Sequence, residues 1–170
     1  MKAIVAIFFA LGLLLSSLVS KAQSKSDKMY DAFVNKDGIT NFSFSKNMIK
    51  TVGIDLDDND NNQNVTGDLY QVRVMVYNPE KGNMSGSEFT RKAIRHLPKS
   101  TYKKYKESFD NENAEIWLFG GKRKFKECHI FTNRNEEDHL RFVVSFYGDF
   151  TFNDIDGLKN KGKDFSEKEN

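Results

Sequence analysis

Five stretches of this chain change character at every second residue, and that alternation leaves it few ways to fold. In ITNFSFS (39–45), Thr40, Phe42 and Phe44 fall on one side and Asn41 and Ser43 on the other. LYQVRVMVY (69–77) brings Tyr70, Val72, Val74 and Val76 together, and LRFVVSFYG (140–148) aligns Leu140, Phe142, Val144 and Phe146. Between them, AEIWLF (114–119) and KFKECHIF (124–131) flank Gly120-Gly121. Side chains that repeat with period two belong to strands, and a Gly-Gly step between two such runs reads as a hairpin.

Helical spacing fills the intervals. Asp27 to Asn35 offers Met29, Phe33 and Val34 to one face before the turn at Gly38, and Ser45 to Val52 offers Met48, Ile49 and Val52. Ser87 to Leu97 spaces Phe89, Ala93, Ile94 and Leu97 and stops at Pro98. A further helix is expected from Ser100, with Tyr102, Tyr105 and Phe109 on one side, and a last helical turn around Phe152, Ile155 and Leu158. The expected architecture is α+β: a roughly five-stranded, mostly antiparallel sheet with amphipathic helices packed on one face. Alternation predicts that the other face is partly polar and wet. Residues 27–158 make a single domain, and the charged residues 159–170 read as a disordered tail.

The two ends and the charge balance bound the setting. Lys2, the uncharged run Ala3 to Val19 and the step Ser20-Lys21-Ala22 form the three parts of a cleaved secretory leader, residues 1–22, with cleavage expected between Ala22 and Gln23. Removing it also removes Lys2 and Lys21, so 26 basic residues become 24 against 24 acidic ones. A mature chain without net charge lacks the basic excess that a nucleic acid or an anionic lipid surface demands. It keeps no membrane span, and its location is expected to be periplasmic or otherwise exported. The single cysteine, Cys128, excludes an internal disulfide and is expected to be buried and inert.

Candidate chemistry is sparse. The acidic stretch DLDDNDNNQNVTGD (55–68) comes nearest to a calcium loop when read from Asp57, with Asn59 and Asn61 at the third and fifth positions and Asp68 at the twelfth. It departs from the pattern because Asn62 stands at the glycine position and a strand, not a helix, follows. His96 is expected at a helix C-terminus, where the dipole favours a cation. Cys128 and His129, neighbours on a strand, face opposite sides and so form no nucleophile–base pair. His129 and His139 flank a hairpin and could meet across it, but two ligands do not make a metal site. Asp149, Asp154 and Asp156 group near the last strand. They would suit general acid–base work if they converged, whereas Asn153 or Asp154 more simply caps the helix that follows. No nucleotide, dinucleotide or hydrolase motif occurs, so no cofactor and no catalytic residue is implied.

The order of FVNKDGITNFSFSKNMIKTV, DLYQVRVMVYN, YKKYKESFD, AEIWLFGGKRKFKECHIF and FVVSFYGDFTFNDIDGL resembles the exported Bacteroidota proteins grouped as domain of unknown function 4252. That resemblance implies an envelope location, a compact α+β domain and a link to envelope signalling, with no established activity, cofactor or functional residue. Many relatives look like lipoproteins, and this chain lacks the cysteine that lipidation would need. The expected function is an exported, non-catalytic binding or interaction module with an envelope protein as partner. The alternatives are a small periplasmic hydrolase using the acids near Asp149, and a domain stabilised by calcium. The sequence leaves the oligomeric state open.

Overall fold

A computed structural model describes residues 24–51, 65, 67–105, 114–132 and 139–167. Helix α1 (Asp27–Asp31) precedes strand β1 (Ile39–Ser45) and a short α2 (Lys46–Thr51). Strand β2 (Asp68–Tyr77) leads to α3 (Gly86–Arg95), then β3 (Tyr102–Lys104), β4 (Ala114–Gly120), β5 (Lys124–Thr132) and β6 (Arg141–Thr151). A 3-10 turn (Phe152–Asp154) opens α4 (Ile155–Glu167). The strands form one sheet in the order β1-β2-β6-β5-β4-β3, antiparallel throughout. The fold is therefore α+β, with six strands among the described residues where about five were expected.

The sixth strand is β3. Its tyrosines at 102 and 105 suit a helix by spacing, but Tyr102 pairs with Phe119 of β4 and is buried, so strand pairing overrides the local helical pattern. A second difference lies in β2, where the register shifts between Leu69 and Gln71. The bulge takes Tyr70 out of the alternation, and Leu69 joins Val72 and Val74 in the core instead. In α2 Ile49 is buried but Met48 is exposed. Helix α4 runs on through Glu167, so the disordered tail expected from Lys159 does not begin there.

Helices cover both faces of the sheet, not one. On the first face Val72, Val74, Ile116, Leu118, Cys128, Ile130, Phe142, Val144 and Phe146 meet Ile49 of α2 and Ile155 and Leu158 of α4. On the second, Met75, Tyr77, Phe131 and Val143 meet Met29, Tyr30 and Phe33 around α1 and Phe89, Ala93 and Leu97 around α3. The two aromatic helices lock together edge to face, with the Phe33 and Phe89 ring centres 5.1 Å apart. Ser85 caps α3 by accepting the Glu88 N–H at 3.2 Å. Gly86 opens that helix because a Cβ there would lie 2.2 Å from Nε of the buried Arg141.

The turn into β1 has its own constraint. Gly38 has φ +74°, and a Cβ on it would stand 2.5 Å from the Asn78 carbonyl oxygen. The Asn78 N–H donates to the Gly38 carbonyl at 2.8 Å, which fixes the phase of the β1–β2 ladder. Among the described residues, no helix is long and apolar enough to cross a membrane.

Candidate functional site

The densest chemistry in the molecule lies inside the second face, where strand register assembles it. Glu127 and His129 sit two residues apart on β5 and so share a side. His129 lies opposite Ser145 of β6, and Glu127 opposite Tyr147. From the other direction β4 brings β3 alongside, and Tyr102 reaches over Phe119 to the same carboxylate. The expected polar patch on this face therefore exists, but it is dry. Segment 24–31 and α3 close over it, leaving His129 and Ser145 with no exposed surface.

The hydrogen bonds form one connected array. Tyr102 donates to Glu127 Oε2 at 2.6 Å, and Ser24 donates to Oε1 at 2.8 Å. His129 Nε2 lies 3.1 Å from Oε2, and its Nδ1 lies 2.7 Å from Ser145 Oγ. Tyr30 donates to Ser145 Oγ at 2.6 Å, and Ser26 shares a 2.9 Å bond with Tyr147. Donors and acceptors match when the His129 proton is on Nε2: Tyr30 gives to Ser145, Ser145 gives to Nδ1, and Nε2 gives to Glu127. At its edge, Arg73 pairs with Asp27 at 2.6 Å and stacks over the Tyr30 ring.

Burial would push the Glu127 carboxyl up. The hydrogen bond from His129, with the Tyr102 and Ser24 donors, outweighs it and holds the group below its ordinary range. Burial raises the phenols: Tyr147 is pushed up to about 12, and Tyr30 and Tyr102 also move upward.

Serine, histidine and glutamate in contact have the composition of a hydrolytic triad, but this geometry does not present them as one. Ser145 Oγ has no solvent surface and already accepts the Tyr30 hydroxyl. The ring nitrogen facing the serine is Nδ1, with the carboxylate on Nε2, the reverse of the orientation that delivers a serine proton to a leaving group. The arrangement fixes the strands against the N-terminal segment.

The residues singled out in the sequence are dispersed. Asp57, Asn59 and Asn61 lie outside the described residues. Asp68 opens β2 and forms a 2.5 Å ion pair with Lys46. Asp149 is exposed and paired with Lys126. Asp154 is buried and turned back on the chain, accepting the Thr151 N–H at 2.7 Å and its hydroxyl at 2.9 Å. The cap of the last helical segment is thus Thr151, not Asn153 or Asp154 as expected, and Asp154 closes the capping box from the third position. Asp156 is exposed in the first turn of α4. The three acids thus have separate surroundings. His96 is the C-cap of α3, and its ring meets Phe33 edge to face at 6.1 Å. His139 is exposed beyond the start of β6, while His129 faces Ser145, so the two histidines do not meet across the hairpin. Cys128 faces the opposite core from His129, with a thiol that burial pushes up. Among the described residues, no three His, Cys, Asp or Glu side chains gather as a metal site.

Sequence reading missed Glu127, Ser145, Tyr30, Tyr102 and Tyr147. Two signals were present: the Glu-x-His spacing on a strand, and a lone serine inside the apolar run of β6.

Outside the core, one open groove of about 370 Å³ lies beside the β1–β2 end of the sheet. Ile39, Thr40, Phe42, Val76 and Leu140 line it, together with Asn78 and Lys81. Phe42, 46 % exposed, stacks against Phe44 at 6.4 Å.

A family model described as Domain of unknown function (DUF4252) matches residues 30–158. No curated protein and no solved structure matches the chain.

Proposed function

The chain belongs to the domain of unknown function (DUF4252) family, and we propose that it acts as an exported, non-catalytic interaction module of the cell envelope, linked to envelope signalling. One contrast carries this reading. The titratable cluster is sealed and committed to internal bonds, whereas Phe42 stands open to solvent at a groove lined by the half-buried Ile39, Val76 and Leu140. Chemistry needs its reactive groups within reach of substrate. Recognition needs exposed apolar surface with a few polar groups beside it, and Asn78 and Lys81 supply those. The leader-like residues 1–22 support the exported setting.

A photo-crosslinking amino acid placed at Phe42 in cells tests this. The expected result is a discrete covalent adduct of an envelope-fraction protein, absent when the same group replaces Tyr70, which is equally exposed. Equal, diffuse labelling at both positions refutes the reading. N-terminal sequencing of the exported chain, with Gln23 expected first, tests the setting.

A further inference from the structure

The two edges of the sheet are built differently. Edge strand β3 has three residues, and two of them, Lys103 and Lys104, are exposed lysines. Short length and charge are the usual protections against pairing with another chain. Edge strand β1 has neither. It runs seven residues from Ile39 to Ser45, contains no charged residue and no proline, and among the described residues pairs only with β2. The ladder phase shows which of its backbone groups face away from β2. Gly38 is hydrogen-bonded to Asn78, so Thr40, Phe42 and Phe44 continue bonding to β2, and the N–H and C=O of Asn41 and Ser43 point outward.

We propose that β1 pairs antiparallel with the β1 of a second copy, on a two-fold axis through Phe42, joining two six-stranded sheets into one. This names the partner for the interaction reading and rests on it. In this register Asn41 faces Ser43 of the second copy, so outward N–H and C=O groups meet each other. Phe42 faces Phe42 of the second copy in a non-hydrogen-bonded pair, where side chains approach most closely. Thr40 faces Phe44 of the second copy, and the Phe42–Phe44 stacks of both copies become one apolar strip. Phe42 is the middle residue of β1, so a two-fold axis through it is the register that overlaps all seven residues of both copies, with Ile39 opposite Ser45 of the second copy.

The purified chain is expected to sediment at twice the mass of one chain. Ser43→Pro removes an outward N–H that β2 does not use, together with one exposed bond from Gln71 Nε2 to the Ser43 hydroxyl, so the monomer keeps its fold with a small fall in its melting transition. Its dimer dissociation constant rises about thirtyfold, because the two-fold axis doubles the lost hydrogen bond. Phe42→Cys is expected to form an intermolecular disulfide under mild oxidation, since each cysteine faces its copy, while Asn41→Cys is not. The buried Cys128 stays silent. A chain that is monomeric up to its solubility limit and gives no Phe42→Cys disulfide overturns self-pairing. A disulfide at Asn41→Cys that exceeds the one at Phe42→Cys overturns the register. If the chain is monomeric yet Phe42 still crosslinks one foreign protein, self-pairing falls and the interaction reading stands. If no specific adduct of any kind forms, both fall.

Discussion

Replacing Glu127 by alanine is the sharpest probe of whether the internal array is sealed. The substitution takes the acceptor from Tyr102 at 2.6 Å, from Ser24 at 2.8 Å and from His129 Nε2 at 3.1 Å. Ser24 is only partly buried and can turn to water, but Tyr102 and His129 are buried with no such route. Two stranded donors at about 1–3 kcal/mol each, plus the space left by the carboxylate, give a loss of about 4 kcal/mol. Domains of this size hold about 5–15 kcal/mol in total, so the variant should fold but stand near its limit. In urea, with a slope of about 2 kcal/mol/M, the unfolding midpoint should fall by about 2 M. Tyr102→Phe removes one donor and leaves the carboxylate two, so it should cost only about 1–2 kcal/mol. The double variant should then show a coupling of about 1–2 kcal/mol between the positions. A midpoint shift below about 0.5 M for Glu127→Ala would mean that water replaces the carboxylate freely. The array would then be open, and Ser145 and His129 would stand within reach of solvent.

The same array sets the response to pH. Because the Glu127 carboxyl is lower in the folded state than its ordinary value of 4.5, its contribution is whole above that value and fades as pH falls through the lowered one. Acid unfolding followed by circular dichroism should therefore be less steep in Glu127→Gln than in the parent chain. At high pH the sign reverses. Tyr147, raised from 10.0 to about 12, favours the fold below its unfolded value, and that support is lost as pH rises through the raised one. Ultraviolet titration should show the phenols of Tyr30, Tyr102 and Tyr147 ionising only together with unfolding. Elsewhere, Gly38→Ala forces a side chain into a left-handed conformation and against the Asn78 carbonyl. It should cost about 2 kcal/mol, visible as a fall in Tm of about 6 °C.

How much of this was legible depended on how local each signal was. The alternation in β1, β4, β5 and β6 is written in consecutive residues, and those strands stand where it put them. Helix α3 was legible for the same reason, since Phe89 and Ala93 repeat on one side, although it opens at Gly86 rather than Ser87. β3 was not, because its tyrosines fit a helix and only the edge of β4 makes them a strand. Tyr70 was misassigned because a bulge, invisible to a period count, resets the phase at Leu69. The burial of both faces could not be read either: it requires knowing that α1 and α3 return to the side opposite α2 and α4. The array was the least legible feature. Glu127 and His129 are neighbours in sequence, but Ser145 reaches them through strand register, and Ser24, Ser26 and Tyr30 arrive from more than 90 residues away. The groove was hinted at only by Phe42 and Phe44 on a strand that carries no charge.

The position of β6 has a consequence for how the chain comes into being. It is the last strand made, yet it lies between β2 and β5. Before it is released, β1–β2 is an isolated hairpin and β3–β4–β5 a separate meander, with no strand joining them. The N-terminal segment lacks part of its dock as well, because Ser26 and Tyr30 bind Tyr147 and Ser145. A chain delivered from its N-terminus therefore holds only separate pieces of its sheet. Assembly waits for the final strand and then closes non-local contacts all at once, a slow but cooperative route. Such a polypeptide stays threadable for as long as any of β6 is still to come.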